Sequence, residues 1–244
     1  MTPLPRSFYD RDTIEVAKEL LGKVLVREAP AGRMAIKIVE TEAYVGPHDK
    51  ACHASKGMTE RNRVMFGEPG HAYVYFIYGM YHCLNIVTER EGYPAAVLIR
   101  AGEPLEGVDA MWSMRKKARK MEDLASGPGR LCMAMDIDRS LNGVDMCKKG
   151  PLYVEDGKAE SFDIVSCRRV GVEYAGEYRD KPWRFYIRDS PSVSVFTTED
   201  AEADNHHRGH RGHRGIKPQR TRRLIITTEG TEGTEGLNHR GRGD

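Results

Sequence analysis

Long apolar runs are absent from this chain. No stretch approaches the roughly 18 apolar residues that span a bilayer, and the start, MTPLPRSFYDRD, lacks the apolar centre of a secretory signal. A soluble, intracellular protein is expected. Cysteine is scarce and scattered: Cys52, Cys83, Cys132, Cys147 and Cys167 form no CxxC pair and no zinc-like Cys/His spacing. An odd, dispersed set predicts reduced thiols and no metal site. No GxGxxG or P-loop follows a predicted strand, which argues against a doubly wound nucleotide fold. Charge of one sign is also lacking. With 38 Lys and Arg against 36 Asp and Glu, the formal net charge is +2, so a basic binding surface must come from local clustering.

What is present divides the chain in two. Through Phe196, apolar runs and turn signals alternate as one globular domain requires, giving residues 1–196 as the domain and 197–244 as a tail. The tail holds the basic run NHHRGHRGHRGIKPQRTRR (205–223) and then TEGTEGTEG (228–236). Such low-complexity segments cannot bury enough apolar surface to fold alone. The basic run suits electrostatic contact with nucleic acid, or is simply a solvated tail.

Within the domain, Asp12 or Thr13 is expected to cap a helix through Leu21 that Gly22 stops. KVLVRE (23–28) and RMAIKIVETEAYV (33–45) read as a hairpin pair. The polar loop 46–63 is longer than a connector needs to be. HAYVYFIYGMYHCLNIVTE (71–89) reads as an aromatic hairpin with Gly79 at its tip. AAVLIRA (95–101) is a further strand, 104–121 reads as helix, and 126–137 as another helix with Ser126 and Pro128 as start signals. Strands are also expected near 151–155, 163–172, 184–188 and 192–196. Strands follow strands rather than alternating with helices, so the fold class is α+β, one mixed domain on a largely antiparallel sheet.

Candidate chemistry gathers at IKIVETEAYV (36–45). Alternation puts Glu40, Glu42 and Tyr44 on the face that Ile36 and Ile38 occupy, with the two carboxylates about 7 Å apart. An inward carboxyl is a candidate general base if its burial is offset, and Arg100 is a candidate cation. On the pattern alone, a structural ion pair or an edge strand with solvated glutamates is the favoured reading. Tyr44, His53, Tyr73, Tyr75, Tyr78 and Tyr81 supply aromatic faces on which a planar base can stack, although strand tyrosines also simply pack cores. At the hairpin tip, Tyr78, Met80 and Tyr81 suit a wedge between base pairs. Asn85 reads as a strand amide. Arg61, Asn62 and Arg63 either grip a phosphate or support their loop, and Arg115–Lys120 is either a solvated helix face or a phosphate contact.

Taken in order, VETEAY (39–44), GP (46–47), His53, RNR (61–63), MF (65–66), PG (69–70), YVYFIYGMYHCLNI (73–86), LIRAGEPLEG (98–107), SGPGRLC (126–132), RVGV (169–172) and AGEYRDKPWRFYIRDSPSVSV (175–195) resemble the alkyladenine (3-methyladenine) DNA glycosylases of the mammalian type. The similarity covers residues 4–196. It implies a curved antiparallel sheet with peripheral helices and a protruding hairpin that enters the minor groove. It also implies that Glu42 activates water, with Arg100 and the Val170 carbonyl around that water. Tyr44, His53 and Tyr75 would hold the flipped base, and Asn85 would crowd guanine's exocyclic amino group. Tyr78 would fill the duplex gap, flanked by Met80 and Tyr81. Arg61, Asn62 and Arg130 are the candidate backbone contacts. The implied partner is double-stranded DNA carrying damaged purines, acted on by a monomer with no cofactor and no strand cleavage. A non-catalytic damage or abasic-site binder on the same scaffold is the alternative, and a hydrolase of free nucleosides is a third reading. The loop ASKGMTE (54–60) is slightly shorter than the family pattern, and the tail beyond Phe196 has no counterpart in it.

Overall fold

The computed structural model describes residues 2–194. The tail 197–244, and residues 195–196 of the strand expected at 192–196, lie outside the described residues. Two short helices open the chain, α1 (Arg6–Tyr9) and α2 (Thr13–Glu19). Asp12 caps α2 as expected: its Oδ1 accepts from the Ile14 N–H at 2.9 Å and the Glu15 N–H at 3.1 Å. Strands β1 (Val24–Ala29) and β2 (Gly32–Tyr44) form the first hairpin, and β3 (Ala72–Ile77) and β4 (Tyr81–Thr88) the second. There follow β5 (Ala95–Glu106), α3 (Val108–Met114), α4 (Pro128–Ala134), β6 (Leu152–Glu155), β7 (Ile164–Cys167) and β8 (Arg184–Ile187).

The eight strands make one antiparallel sheet in the order β3-β4-β5-β2-β1-β6, with β8 also pairing β2 and β7 pairing β8. The long strand β2 is its spine. One edge of β2 pairs with β5, while the other pairs first with β1 (from Gly32 to Lys37) and then with β8 (from Glu40 to Glu42). The main core lies between this sheet and α2 and α4, with Leu20, Ile38, Ile99, Leu131 and Phe185 fully buried. A second cluster, built on Cys52, Met65, Tyr73 and Ala96, seats the 46–66 loop.

The helix expected over 104–121 is shorter than its polar pattern suggested. β5 runs through Glu106, and α3 starts only after Gly107, which has φ +72°. The RKKARK run falls in turns beyond α3, where Arg115 is buried and donates to the Leu124 carbonyl at 3.1 Å. No strand forms at 192–194, because Ser194 turns inward to a buried carboxylate.

Alternation along β2 also breaks. Ile38 pairs with Gly102 and Glu40 with Ala101, which leaves Val39 unmatched. Thr41 then pairs with Ile99, which leaves Arg100 unmatched. Two facing β-bulges thus sit side by side, and a bulge re-aims the side chains that follow it. Ile36 and Ile38 belong to the main core, but so do Val39 and Ala43. Core membership passes from even to odd positions. Glu40, Glu42 and Tyr44 therefore do not continue the Ile36 and Ile38 face, as simple alternation predicted, but leave the main core for the opposite side.

Candidate active site

Beyond the bulges, both carboxylates are fully buried. Glu40 accepts at Oε1 from Arg100 Nε (3.0 Å), Arg184 Nε (2.6 Å) and the Ser194 hydroxyl (2.9 Å), and at Oε2 from the Ser194 N–H (2.7 Å). Burial opposes ionisation of Glu40, but Arg100, Arg184 and the Ser194 bonds outweigh it and hold the carboxyl below its ordinary value. Glu42 is held differently. Its Oε1 accepts the Val170 N–H at 2.8 Å and lies 3.3 Å from Arg100 Nη1, while its Oε2 accepts the Tyr44 hydroxyl at 2.8 Å. Burial disfavours the Arg100 charge, yet Glu42 and Glu40 more than restore it. One guanidinium thus bridges the two carboxylates, as a residue on a bulge facing both can.

Tyr44, Arg100 and Val170 line a cavity together with His53, Tyr75 and Asn85. Glu42 lies directly behind the first three. The sequence candidates for catalysis and for base binding are therefore brought to one place. The Val170 contact seen here is its N–H on Glu42.

His53 opens a short 3-10 turn, His53–Lys56. Its Nδ1 lies 3.0 Å from the Tyr73 hydroxyl, and its ring meets Tyr75 edge-on at 4.5 Å between centroids. Burial, with Arg61 adding to it, lowers the imidazole pKa to about 4. The residue is nonetheless exposed on its free side, so water tempers the effect there. Its neighbours set the direction: an uncharged ring beside two tyrosines. Asn85 is buried and donates from Nδ2 to the Tyr73 carbonyl at 3.2 Å, so this strand amide is satisfied while still bordering the cavity.

The hairpin tip runs Tyr78-Gly79-Met80, with φ of +55° at Tyr78 and +68° at Gly79. Glycine takes that conformation freely, whereas for tyrosine it is costly. Met80 is 64% exposed at the tip, while Tyr78 and Tyr81 are half-buried. Tyr81 packs against α4, close enough that a Cβ on Gly129 would lie 3.0 Å from its ring.

The three candidates for backbone contact separate. Arg61 is exposed and donates to the Phe76 carbonyl at 3.0 Å. Arg130 borders the cavity and donates to the Ser126 carbonyl at 3.3 Å. Asn62 is buried, with its Nδ2 on the His53 and Gly57 carbonyls and its Oδ1 on the Thr59 N–H. It is occupied in holding its loop and does not face outward to a phosphate.

Sequence reasoning missed Asp49, Arg169, Arg184 and Ser194. Asp49 and Arg169 form a buried bidentate pair. Asp49 carries no local pattern, and the other three fell inside stretches quoted only for their family resemblance. Among the described residues no group of His, Cys, Asp or Glu gathers as a metal site, and no helix is long and apolar enough to cross a membrane. The five cysteines are unpaired.

Comparison with known families decides what this geometry belongs to. Residues 7–191 match the family model for methylpurine-DNA glycosylase. The chain is a member of the methylpurine-DNA glycosylase family. Relatives carrying the name "Putative 3-methyladenine DNA glycosylase" extend this match. One from Methanocella arvoryzae is 69% identical over 194 residues, covering 80% of this chain and 96% of the relative. One from Clostridium acetobutylicum is 51% identical over 200 residues, covering 79% and 97%. One from Desulfitobacterium hafniense is 50% identical over 203 residues, covering 80% and 100%. Membership in the methylpurine-DNA glycosylase family places the protein among hydrolytic enzymes that act on damaged DNA.

Proposed function

We propose that the protein is a monofunctional glycosylase that flips alkylated or deaminated purines out of duplex DNA and hydrolyses the N-glycosidic bond. The substrates are 3-methyladenine and 7-methylguanine, with ethenoadenine and hypoxanthine as neutral candidates. The observation that carries this reading is Glu42, buried behind an aromatic cavity and held at both oxygens. A purine cannot be attacked at its sugar while stacked, and extrusion costs a few kcal/mol, least for weakly paired lesions. Tyr78 at the strained hairpin tip fills the gap, with Met80 and Tyr81 beside it, and Arg61 and Arg130 face the backbone.

In the cavity, Tyr44, His53 and Tyr75 flank the base. A cationic lesion favours such electron-rich faces, and His53 is suited to meet it uncharged. Asn85 crowds guanine's exocyclic amino group. Glu42 accepts a proton from water as the water oxygen bonds to C1′ and the C1′–N bond breaks. The bonding electrons leave with the base, which neutralises a cationic lesion, whereas a neutral lesion also takes up a proton from solvent. The carboxylate also offsets positive charge developing on the sugar, and Arg100, 3.3 Å from its Oε1, keeps it aligned. The Val170 carbonyl is a further ligand for the water. Among the described residues no lysine lines the cavity, which supports hydrolysis without a Schiff base or strand cleavage. The enzyme acts as an intracellular monomer without a cofactor.

The test is base release from duplexes carrying each of the four lesions, with the free nucleosides as controls. Release from duplex alone is expected. Tight binding to an abasic-site duplex with no release from any lesion would instead favour a non-catalytic binder.

A further inference from the structure

We infer that the buried Asp49–Arg169 pair is a positioning device for Glu42, an inference that rests on the hydrolytic reading above. Neither residue touches Glu42. Arg169 Nη1 and Nη2 donate to Asp49 Oδ2 and Oδ1 at 2.5 and 2.9 Å, and both side chains are fully shielded from solvent. The same guanidinium donates to the Ala43 carbonyl at 2.9 Å and the Tyr178 carbonyl at 3.2 Å. Its carbon lies 4.8 Å from the centre of the Tyr44 ring and 5.1 Å from that of Trp183.

Two of the three groups that hold Glu42 therefore hang on Arg169. Tyr44, whose hydroxyl donates to Oε2, packs its ring on the guanidinium. Val170, whose N–H donates to Oε1, is the next residue in the chain. Asp49 adds the third wall. It accepts from the N–H groups of Val45 and Ala51, which fixes the turn leading to His53. The pair thus ties together the end of β2, the 45–53 turn and the 168–172 segment, and the two hydrogen bonds to the Glu42 carboxylate come from the first and last of these. A buried ion pair is weak evidence of stabilisation, since apolar residues often replace one at no loss. What apolar residues cannot supply is a planar fork that stacks on a ring and grips a carboxylate at once.

The test uses the full chain in single-turnover excision of 7-methylguanine from duplex DNA, with Arg169→Lys, Asp49→Asn and Glu42→Gln. Dissociation constants for an abasic-site duplex and melting temperatures are measured alongside. Lysine keeps the charge but loses the fork and the stack. Both pair variants are expected to slow excision roughly a hundredfold, the scale of a small misplacement at a reacting centre, while abasic-duplex affinity stays within about threefold of wild type. Arg169→Lys combined with Tyr44→Phe should lose less than the product of the two single effects, since both act through Tyr44. Wild-type rates in both pair variants beside an inactive Glu42→Gln would overturn the inference and leave the Glu42 reading standing. An active Glu42→Gln would overturn that reading itself. Equal losses of rate and affinity, or failure of both pair variants to fold, would make the pair a folding element only and overturn its positioning role.

Discussion

Arg100 Nη1 lies 3.3 Å from Glu42 Oε1 while its Nε lies 3.0 Å from Glu40 Oε1. Both contacts exist because Arg100 is the unmatched residue of a bulge in β5, facing a second bulge at Val39. A lysine there keeps the charge but lacks the planar fork whose Nε and Nη1 hold the two carboxylates in these fixed positions. Arg100→Lys is expected to lower the single-turnover excision rate roughly 10²–10³-fold, the range for losing one preorganised charge contact. A rate within threefold of wild type would show that the bridge is dispensable.

Glu40 is expected to contribute to the pH dependence of stability in acid. Its folded pKa lies below its ordinary value. As pH falls past the unfolded glutamate value of about 4.3, the unfolded chain takes up the proton first. Glu40 therefore contributes stability above that pH and loses it as pH falls through the folded value. Urea unfolding of the wild type should show this loss, and Glu40→Gln should show a shallower one. Glu40→Ala leaves the charges of Arg100 and Arg184 unpaired and should cost about 3–5 kcal/mol. Wild-type stability in Glu40→Ala would contradict this account.

His53 is expected to stay neutral through the working range. Its folded pKa is lowered to about 4, so on acidification the unfolded chain is protonated first, near pH 6.5. The histidine adds nothing to the pH dependence above that point and costs stability from there down towards its folded value. A ring-proton NMR titration should show no His53 midpoint above about pH 5. A midpoint near 6.5 would mean that the Tyr73 and Tyr75 surroundings do not shield it.

Much of this arrangement was legible from residue patterns, and some was not. Asp12 capped α2 because a short polar side chain before an amphipathic run has few other uses. Gly79 marked the hairpin tip because only a positive φ closes so short a loop. Alternation failed along β2 because bulges at Val39 and Arg100 leave no local signature; they show only in pairing. Choosing Glu42 over Glu40 required the family resemblance. In the structure Glu40 accepts from four donor groups on Arg100, Arg184 and Ser194, whereas Glu42 has only the Tyr44 hydroxyl, the Val170 N–H and Arg100 around its oxygens. The Asp49–Arg169 and Glu40–Ser194 pairings escaped because they join residues 120 and 154 positions apart, and no spacing rule reaches that far.

The hairpin tip should trade stability against function. Tyr78 at φ +55° carries a backbone cost of roughly 1–2 kcal/mol that glycine avoids. Glycine also loses more chain entropy on folding, which offsets part of the gain. Tyr78→Gly is therefore expected to fold within about 1 kcal/mol of wild type, yet to excise lesions from duplex more slowly. Thermal melting and single-turnover kinetics check the two halves separately. Unchanged excision from duplex would rule out the wedge.

Hydrolysis turns on Glu42, and Glu42→Gln tests this most directly. Glutamine keeps the shape and can still accept the Val170 N–H, but its amide nitrogen cannot accept from the Tyr44 hydroxyl as Oε2 does, and it cannot take a proton from water. Single-turnover release of 7-methylguanine from duplex DNA at neutral pH should become undetectable, while affinity for the same duplex stays near that of the wild type. Release at the wild-type rate would contradict the assignment of Glu42 as the group that activates water.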